Sequence, residues 1–186
     1  MARHKLLSDE AVLDAALSVM VAKGPADFTL ADIGKATDLA PATLIQRFGG
    51  KAELVVAAFA RDNARFAEAL AAAPKTRGPA AVIALFMILT PRNVDIAVFA
   101  DQLLWLRQDM RDPALNALAR DRFTRLRAAI AERLPPLHMA PEDAARLVEA
   151  QWQGALNQWG LEPQGSLADY VTSALADWFT LVQPQR

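Results

Sequence analysis

The sequence predicts an all-α protein of about nine helices. Alanine, the strongest helix former, accounts for 39 of the 186 residues. Apolar residues recur at spacings of three and four, and no segment shows the period-two alternation of a strand. The 11 prolines fall almost wholly between these periodic segments, where they separate one helix from the next. These three observations favour a bundle of consecutive helices.

The first predicted helix has clear signals at both ends. Ser8 is a favoured N-cap residue, and Asp9 and Glu10 place negative charge at the positive end of the helix dipole. The Gly24-Pro25 pair is expected to end the helix, because proline cannot continue it without losing a backbone hydrogen bond. We therefore expect one amphipathic helix at the N-terminus.

Two short helices follow, and three residues separate them. Thr29 and Asp32 have the spacing of a capping box, which begins a helix that ends near Thr37. Pro41 suits the first position of the next helix, which runs to Arg47 and stops before a glycine pair. Two helices of about two turns joined by so short a connection predict a helix-turn-helix.

Six longer helices are predicted in the rest of the chain, each bounded by proline, glycine or a capping residue. The segment 80–89 is apolar on all sides, which predicts a helix surrounded by the core. The predicted ranges are 51–73, 80–89, 95–110, 113–134, 141–160 and 166 to the C-terminal end.

Composition excludes several classes of function. The sequence has no cysteine and only two histidines, His4 and His138, so neither disulfides nor Cys-based metal sites can form. It also lacks a glycine-rich phosphate loop, a Gly-x-Ser-x-Gly elbow and a His-Glu-x-x-His motif. The nearest carboxylate pair, Glu142-Asp143, is most simply a helix start. We therefore predict no enzyme activity, no metal and no cofactor.

Charge and hydropathy predict a compartment but no particular partner. The net charge of −1 at pH 7 favours neither nucleic acid nor a membrane. The N-terminus shows no apolar stretch of the kind that a secretory signal needs. The longest apolar run, 80–89, is about half of the ~20 residues that a spanning helix requires. We expect a cytoplasmic protein with no membrane partner.

The predicted helix-turn-helix can close a small core and present its opposite face to DNA. Its apolar residues can pack against the first helix: Leu30, Ile33, Leu39, Leu44 and Phe48. The exposed side of its second helix fits a major groove of about 12 Å. That side consists of Pro41, Ala42, Thr43, Ile45, Gln46 and Arg47.

Individual side chains of this face indicate how it would bind DNA. Gln46 can hydrogen-bond to base edges, Ala42 can contact a thymine methyl group, and Thr43 offers both a methyl and a hydroxyl group. Other residues nearby can hold the DNA phosphates, and Lys51 is helped in this by the N-terminus of its own helix, which favours anions. The predicted phosphate contacts are Thr29, Arg47 and Lys51.

The N-terminal region is nearly neutral, since residues 1–56 hold six Lys and Arg against seven Asp and Glu. DNA binding therefore requires these charges to be segregated. The cations expected to face DNA are Arg3, Lys5, Lys35, Arg47 and Lys51, and the acidic residues expected to lie elsewhere are Asp9, Glu10 and Asp14. Arg3, His4 and Lys5 form either an arm that reaches DNA or a solubilising terminus.

A specific combination of residues spans positions 28–54. It consists of Phe28-Thr29, Ile33-Gly34, Leu39, Thr43-Leu44, Phe48, Lys51 and Leu54. In this combination and spacing the segment resembles the TetR family of transcriptional regulators. This sequence departs from the family pattern at three positions. It has Gly34 where alanine is usual, Asp38 where glycine is usual and Ile45 where tyrosine is usual. Asp38 still tolerates a left-handed turn, whereas Ile45 lacks a phosphate-contacting hydroxyl.

The resemblance implies a division into two domains. Residues 1–52 would bind DNA, and residues 53–186 would bind a small molecule and dimerise through the last two helices. Apolar and tryptophan side chains on those helices agree with an interface, but they would serve equally as the core of one protomer. The predicted dimer contacts are Leu156, Trp159, Val171, Leu175 and Trp178.

An effector pocket is predicted in the larger bundle, where apolar walls would carry a few convergent polar groups. Gln102 and Asn157 are the candidate polar groups, although a lone Gln or Asn more often bonds backbone or solvent, and aromatic residues at helical spacing are more often core. The predicted lining is Phe86, Phe99, Gln102, Leu103, Trp105, Phe123, Trp152 and Asn157.

These inferences predict a sequence-specific DNA-binding regulator. We expect a homodimeric repressor that binds a palindromic double-stranded operator and leaves it when a small apolar or amphipathic effector binds. The alternative is a helical lipid- or partner-binding protein of the same fold that has lost operator binding. Ile45 and the nearly neutral N-terminal region keep this alternative open.

Overall fold

The computed structural model describes residues 7–92 and 94–182, and these residues form nine α-helices and no strand. The all-α prediction is confirmed, and each predicted helix is present with ends close to the predicted ones. In chain order the helices are α1 (Asp9–Asp27), α2 (Leu30–Thr37), α3 (Pro41–Phe48), α4 (Lys51–Ala72), α5 (Pro79–Leu89), α6 (Ile96–Arg111), α7 (Pro113–Arg133), α8 (Pro141–Leu161) and α9 (Leu167–Val182).

The helices are divided between two compact units. The first unit comprises the chain up to Arg65 together with Ala100–Ala119, and the second comprises Phe66–Phe99 together with the chain from Arg120. The first unit therefore extends beyond the predicted domain boundary after residue 52 and includes parts of α4, α6 and α7. A compact unit is a packing property, so the functional division at that boundary stays a prediction.

The first unit is built around one buried face of α1. Val12 and Met20 on this face are fully buried, as the apolar spacing of the sequence predicts. Trp105 of α6 joins the same core. Its indole N–H donates to the Met20 carbonyl oxygen at 3.3 Å, and its ring contacts the rings of Phe28 and Phe59.

The ends of α1 follow the local signals in the sequence. The Ser8 hydroxyl oxygen accepts a hydrogen bond from the Ala11 N–H at 3.2 Å, which satisfies one free donor of the first turn. Gly24 has a φ of 74°, outside the helical region, and a further turn containing Pro25 ends at Asp27. The expected stop at this Gly-Pro pair is thus a break inside the last part of α1.

The second unit has an aromatic core to which α5, α7, α8 and α9 contribute. Phe86 stacks on Trp152 with ring centroids 5.3 Å apart. The Trp152 indole N–H donates to the Thr90 hydroxyl oxygen at 3.1 Å, so its polar atom is satisfied inside the core. Phe99 contacts Trp159 edge to face at 5.6 Å.

The environment of α5 differs from the predicted one. Leu85 and Phe86 are buried, but Ile88 is 40% exposed and Ala84 is also exposed. The expectation of a fully surrounded helix is therefore wrong. An all-apolar composition removes the sequence signal for which face meets solvent, since single exposed apolar residues are common in folded proteins.

A buried arginine joins the ends of α4 and α7 within the second unit. The guanidinium of Arg133 is 1% exposed and donates to the carbonyl oxygens of Ala73 at 3.0 Å, Pro74 at 2.8 Å and Ala129 at 2.9 Å. Carbonyl groups at a helix C-terminus lack partners in the helix itself. Arg133 supplies those partners and so fixes the C-terminal end of α4.

The described ranges contain neither a candidate membrane span nor a candidate metal cluster. In residues 7–92 and 94–182, no helix has the length and apolar character needed to cross a membrane. The same ranges contain no cluster of three or more His, Cys, Asp or Glu side chains arranged to hold a metal ion.

Candidate nucleic-acid interface

The N-terminal end of the helix-turn-helix is fixed by a capping box at α2. The Thr29 hydroxyl oxygen accepts from the Asp32 N–H at 3.2 Å, and the Asp32 carboxylate accepts from the Thr29 N–H at 2.9 Å. The same carboxylate pairs with Lys23 at 2.7 Å. Hydrogen bonds from Lys23 and Thr29 lower the pKa of Asp32 from 3.8 to about 2. The predicted capping box is confirmed.

The turn between α2 and α3 depends on two backbone positions. Asp38 has a φ of 54° and a ψ of 38°, which confirms the expected left-handed conformation. The Leu39 N–H donates back to the Gly34 carbonyl oxygen at 3.0 Å. A Cβ atom at Gly34 would lie 2.5 Å from the Leu39 carbonyl oxygen, well inside van der Waals contact. Glycine at position 34 is therefore a steric requirement of this turn.

Helix α3 directs one residue into the core and most others outward. Leu44 is fully buried. Four of the six residues predicted for the DNA-facing side are exposed: Pro41, Ala42, Ile45 and Gln46. The other two, Thr43 and Arg47, are half-buried. The exposed side of α3 carries one polar side chain with both donor and acceptor groups, flanked by small and apolar residues.

Arg47 is held by the start of α1. Its Nε donates to the Asp9 carboxylate at 2.7 Å, and its terminal nitrogen donates to the Leu7 carbonyl oxygen at 2.9 Å. The expectation that Arg47 faces DNA while Asp9 lies elsewhere is wrong in this structure, because the two opposite charges form one ion pair. The pair ties the C-terminal end of α3 to the N-terminal end of α1.

Lys51, at the start of α4, contacts the loop that precedes α2. Its ammonium donates to the Phe28 carbonyl oxygen at 2.7 Å and lies 3.9 Å from the centroid of the Phe28 ring. The hydrogen bond uses one of the three ammonium donors. Lys51 is exposed, so the remaining donors are accessible to an anion such as a phosphate.

The acidic residues of α1 behind this face are paired with α4. Asp14 accepts hydrogen bonds from Arg61 at 3.0 Å and from Arg65 at 3.1 Å, and Glu10 lies 3.6 Å from Arg61. The hydrogen bond from Arg61 is the main cause that lowers the pKa of Asp14. These pairs agree with the expectation that Glu10 and Asp14 lie away from the DNA-facing side.

The remaining cations predicted to face DNA are Lys35 and those near the N-terminus. Lys35 of α2 is exposed, as a DNA-facing cation must be. Arg3, His4 and Lys5, predicted to be either a DNA arm or a solubilising terminus, lie outside the described residues.

Residues 12–58 match the family model described as bacterial regulatory proteins, tetR family. The matched segment contains α2, the turn and α3 in full. Over these residues the chain is similar to the TetR family. A helix-turn-helix binds DNA by placing its second helix in the major groove.

Solved structures extend the likeness along the chain. A transcriptional regulator from Rhodococcus sp. Rha1 has a TM-score of 0.74 at 17% identity and covers 96% of this chain and 100% of its own. A TetR transcription regulator from Haloarcula marismortui gives 0.69 at 14%, with 92% and 95% covered. A Saccharomonospora viridis protein in complex with choline gives 0.73 at 17%, with 93% and 96% covered. Such identities show the TetR-type fold alone, and no curated protein matches in sequence.

The residues predicted to line an effector pocket are divided between the two units. Three belong to the first unit: Gln102, Leu103 and Trp105. Five belong to the second: Phe86, Phe99, Phe123, Trp152 and Asn157. Trp105 is part of the first unit's core, and Leu103 and Asn157 are exposed. The eight residues are therefore divided between the two units, and an effector pocket lined by all of them stays a prediction.

The residues predicted as dimer contacts are also divided. Trp159, Val171 and Leu175 are buried in the core of the second unit, so their side chains are already packed within one protomer. These three assignments are corrected to core residues. Leu156 and Trp178 are half-buried and keep surface toward solvent. An open groove of about 590 Å³, lined by residues of α8 and α9, lies next to Trp178.

Proposed function

We propose that this chain is an operator-binding transcriptional regulator that acts as a homodimer, most simply a repressor released by a small effector. The exposed face of α3 carries the proposal. Gln46 supplies hydrogen-bonding groups for base edges, and Ala42 and Ile45 supply apolar contacts for thymine methyl groups. The match of residues 12–58 to the TetR family supports the same function.

The side chains proposed to contact phosphates differ in whether they already have partners within the protein. Lys35 and Lys51 are exposed cations that can meet the DNA backbone directly. Arg47 would first have to leave Asp9, and the Thr29 hydroxyl group would have to share its hydrogen bonds with Asp32. We therefore expect the two lysines to contribute most of the salt-dependent affinity.

The test starts from duplexes selected from a random pool by binding to the full chain. The affinity for a selected duplex should fall linearly with salt concentration on logarithmic axes and exceed that for a scrambled duplex by about 10³-fold or more. Lys35→Ala should reduce the magnitude of the salt slope by about one. Lys75→Ala, a matched change of an exposed lysine in the loop after α4, should leave it unchanged.

The proposed dimer uses the outer surfaces of α8 and α9. Trp178 and Leu181 line the groove there, and Leu181 is 84% exposed. Exposed apolar side chains beside an open groove are typical of a surface that a second copy covers. Sedimentation equilibrium should show that Leu181→Glu weakens the dimer, whereas Leu161→Glu, at an 85% exposed leucine outside the groove lining, should not. Equal effects, or a wild-type monomer, would contradict the dimer.

The proposed effector site lies in the aromatic core of the second unit. Phe86 and Trp152 are stacked, so a ligand between them must separate their rings. Choline is a suitable first probe, because the Saccharomonospora viridis structure contains it and quaternary ammonium groups bind aromatic faces. Calorimetric titration should show binding that Trp152→Leu removes and Trp178→Leu retains. Absence of binding to the wild type would exclude choline.

A second candidate function is favoured by one observation, the pairing of Arg47 with Asp9. This pair removes a cation from the proposed DNA face. A chain that has lost operator binding would keep the fold and bind a lipid or another protein. The selected-duplex experiment separates the two functions, since only a regulator prefers one DNA sequence over its scrambled form.

A further inference from the structure

A groove in the first unit forms a cavity separate from the proposed effector site. It encloses about 310 Å³, at the small end of the range of about 300–1,000 Å³ for ligand pockets. Its walls come from the last part of α1 and from α4, α6 and α7, and they are mainly apolar, with Phe28, Val55, Trp105 and Leu115 among them. A shallow apolar site of this size suits a small molecule.

Two polar side chains of the groove are available to a ligand. Lys51 is exposed and uses one of its three ammonium donors on the Phe28 carbonyl oxygen. Gln108 is half-buried, and its side chain has no hydrogen-bond partner among the described residues. The acidic residue of the groove, Asp112, is already engaged, because its carboxylate accepts from two backbone N–H groups at the start of α7 at 2.8 and 3.1 Å. The free polar groups are thus a cation and a neutral amide.

We propose that this groove binds a small amphipathic anion, an aryl or alkyl carboxylate. The apolar part lies against Phe28, Val55 and Trp105, where it is removed from water. The carboxylate accepts a charge-assisted hydrogen bond from Lys51, and the Gln108 amide donates to the same group. The polar contacts favour an anion, since Lys51 has donors to spare, whereas the Asp112 carboxylate is turned to the backbone N–H groups at the start of α7, where the helix dipole also stabilises its charge.

The site has a consequence for DNA binding, and this step alone rests on the proposed function. Lys51 is one of the two exposed lysines assigned to DNA phosphates. A carboxylate on Lys51 occupies the donors that a phosphate would take and adds a negative charge next to the DNA backbone. The ligand therefore lowers DNA affinity by direct competition, without requiring any change in the second unit.

Ligand binding is tested on the full chain without DNA, by calorimetric titration with phenylacetate and with its neutral analogue phenylacetamide. Ligands of this size are expected to bind with Kd values near millimolar, and the carboxylate should bind about threefold tighter or more. Lys51→Met should abolish that preference, because it weakens phenylacetate binding, which loses a charge-assisted hydrogen bond, more than phenylacetamide binding. No saturable binding of either compound, or equal binding of both by the wild type, would overturn the proposal.

A matched pair of variants locates the site. Ala52 is an exposed residue of α4 that lines the groove, so Ala52→Phe fills the groove without disturbing the core. Ala60 is exposed on the same helix and does not line the groove, so Ala60→Phe is the control. Ala52→Phe should weaken phenylacetate binding about tenfold or more, whereas Ala60→Phe should leave it unchanged. Equal losses, or no loss in Ala52→Phe, would place the ligand elsewhere and refute the site.

The effect of the ligand on DNA binding is measured in a separate experiment. The affinity for the duplex is determined once in saturating phenylacetate and once in sodium chloride of the same ionic strength. Phenylacetate should weaken DNA binding in the wild type and in Ala60→Phe but not in Ala52→Phe. If the ligand binds and DNA affinity stays constant, competition at Lys51 is refuted. If the chain binds no DNA at all, the proposed function fails, while the titrations without DNA still decide whether the groove binds carboxylates.

Discussion

The two compact units use polar side chains in different ways. In the first unit, charged groups at the surface join the ends of short helices: Asp32 belongs to the capping box of α2, and Arg47 ties α3 to α1. In the second unit, two charged side chains are buried: Arg133 binds carbonyl groups at the end of α4, and Glu149 of α8 pairs with Arg127. The first arrangement positions a surface, whereas the second stabilises an interior.

The pKa values of the carboxyl groups reflect this difference between surface and buried charges. Hydrogen bonds from Arg61 and Lys23 lower the pKa values of Asp14 and Asp32, respectively, in the first unit. Burial raises the pKa of Glu149 in the second unit, although the nearby Arg127 partly offsets the shift. The ionised form is therefore favoured for these two carboxylates, which have cationic partners at the surface of the first unit, and disfavoured for Glu149 in the core of the second.

Loss of a core aromatic should have the largest effect on the second unit. Trp152→Ala removes a buried ring that stacks on Phe86, so we expect the free energy of unfolding to fall by about 3–5 kcal/mol. Trp178→Ala, at a half-buried tryptophan, should cost clearly less. Urea denaturation of the two variants measures both values. Similar losses would contradict the assignment of Trp152 to the core.

The turn of the first unit should be sensitive to a single methyl group. Gly34→Ala places a Cβ atom against the Leu39 carbonyl oxygen, and we expect a loss of about 1–3 kcal/mol together with weaker DNA binding. Gly154→Ala is the matched control, because a Cβ atom there meets nothing within 4 Å. The control should stabilise the chain by up to about 1 kcal/mol. A neutral Gly34→Ala variant would refute the steric requirement.

Release of Arg47 should improve DNA binding at little cost in stability. Asp9→Asn removes the carboxylate that pairs with Arg47, and an exposed pair of this kind contributes at most about 1 kcal/mol. The salt slope of duplex binding should become steeper by about one, as the freed cation meets a phosphate. Asp27→Asn, at an exposed aspartate of the same helix, should not change the slope. Weaker DNA binding of Asp9→Asn would show that the pair supports the complex.

The smallest predicted effects concern the pH dependence of stability, and they have opposite signs in the two units. The folded-state pKa of Asp32 is below its ordinary value, so its contribution is complete above about pH 4 and is lost as pH falls toward 2. The folded-state pKa of Glu149 is raised, so its ionisation opposes folding and acidification relieves the penalty. Asp32→Asn should lower Tm at pH 7, and Glu149→Gln should raise it, with both differences shrinking in acid. Thermal scans from pH 7 to pH 2 test these signs.

The fold and the turn of the first unit could be predicted because their signals are local. Thr29 and Asp32 are three residues apart, and the conformation of Asp38 follows from its own side chain. The ion pair between Arg47 and Asp9 could not be predicted in this way, since 38 positions separate its partners. Local charge counts show how many cations a region holds but do not identify the acid that each one meets.

The contacts of the second unit are harder to predict from the sequence, because an apolar stripe on a helix has the same residue pattern in a core and in an interface. Trp159, Val171 and Leu175 lie at helical spacing, and the structure buries them within one protomer. Trp105 shows the same ambiguity, since its stripe on α6 packs into the first unit instead of an effector pocket. Which stripe meets which helix is decided by contacts distant in sequence. Arg133 likewise finds two of its three carbonyl acceptors 59 and 60 positions away.

The central claim is that the exposed face of α3 distinguishes DNA sequences. Equilibrium binding of wild type and Gln46→Ala to the selected duplex and its scrambled form tests this claim most directly. We predict that Gln46→Ala loses about 1–3 kcal/mol for the selected duplex, keeps its affinity for the scrambled one and remains folded. Unchanged discrimination by Gln46→Ala, or no discrimination by the wild type at any salt concentration, would contradict the account.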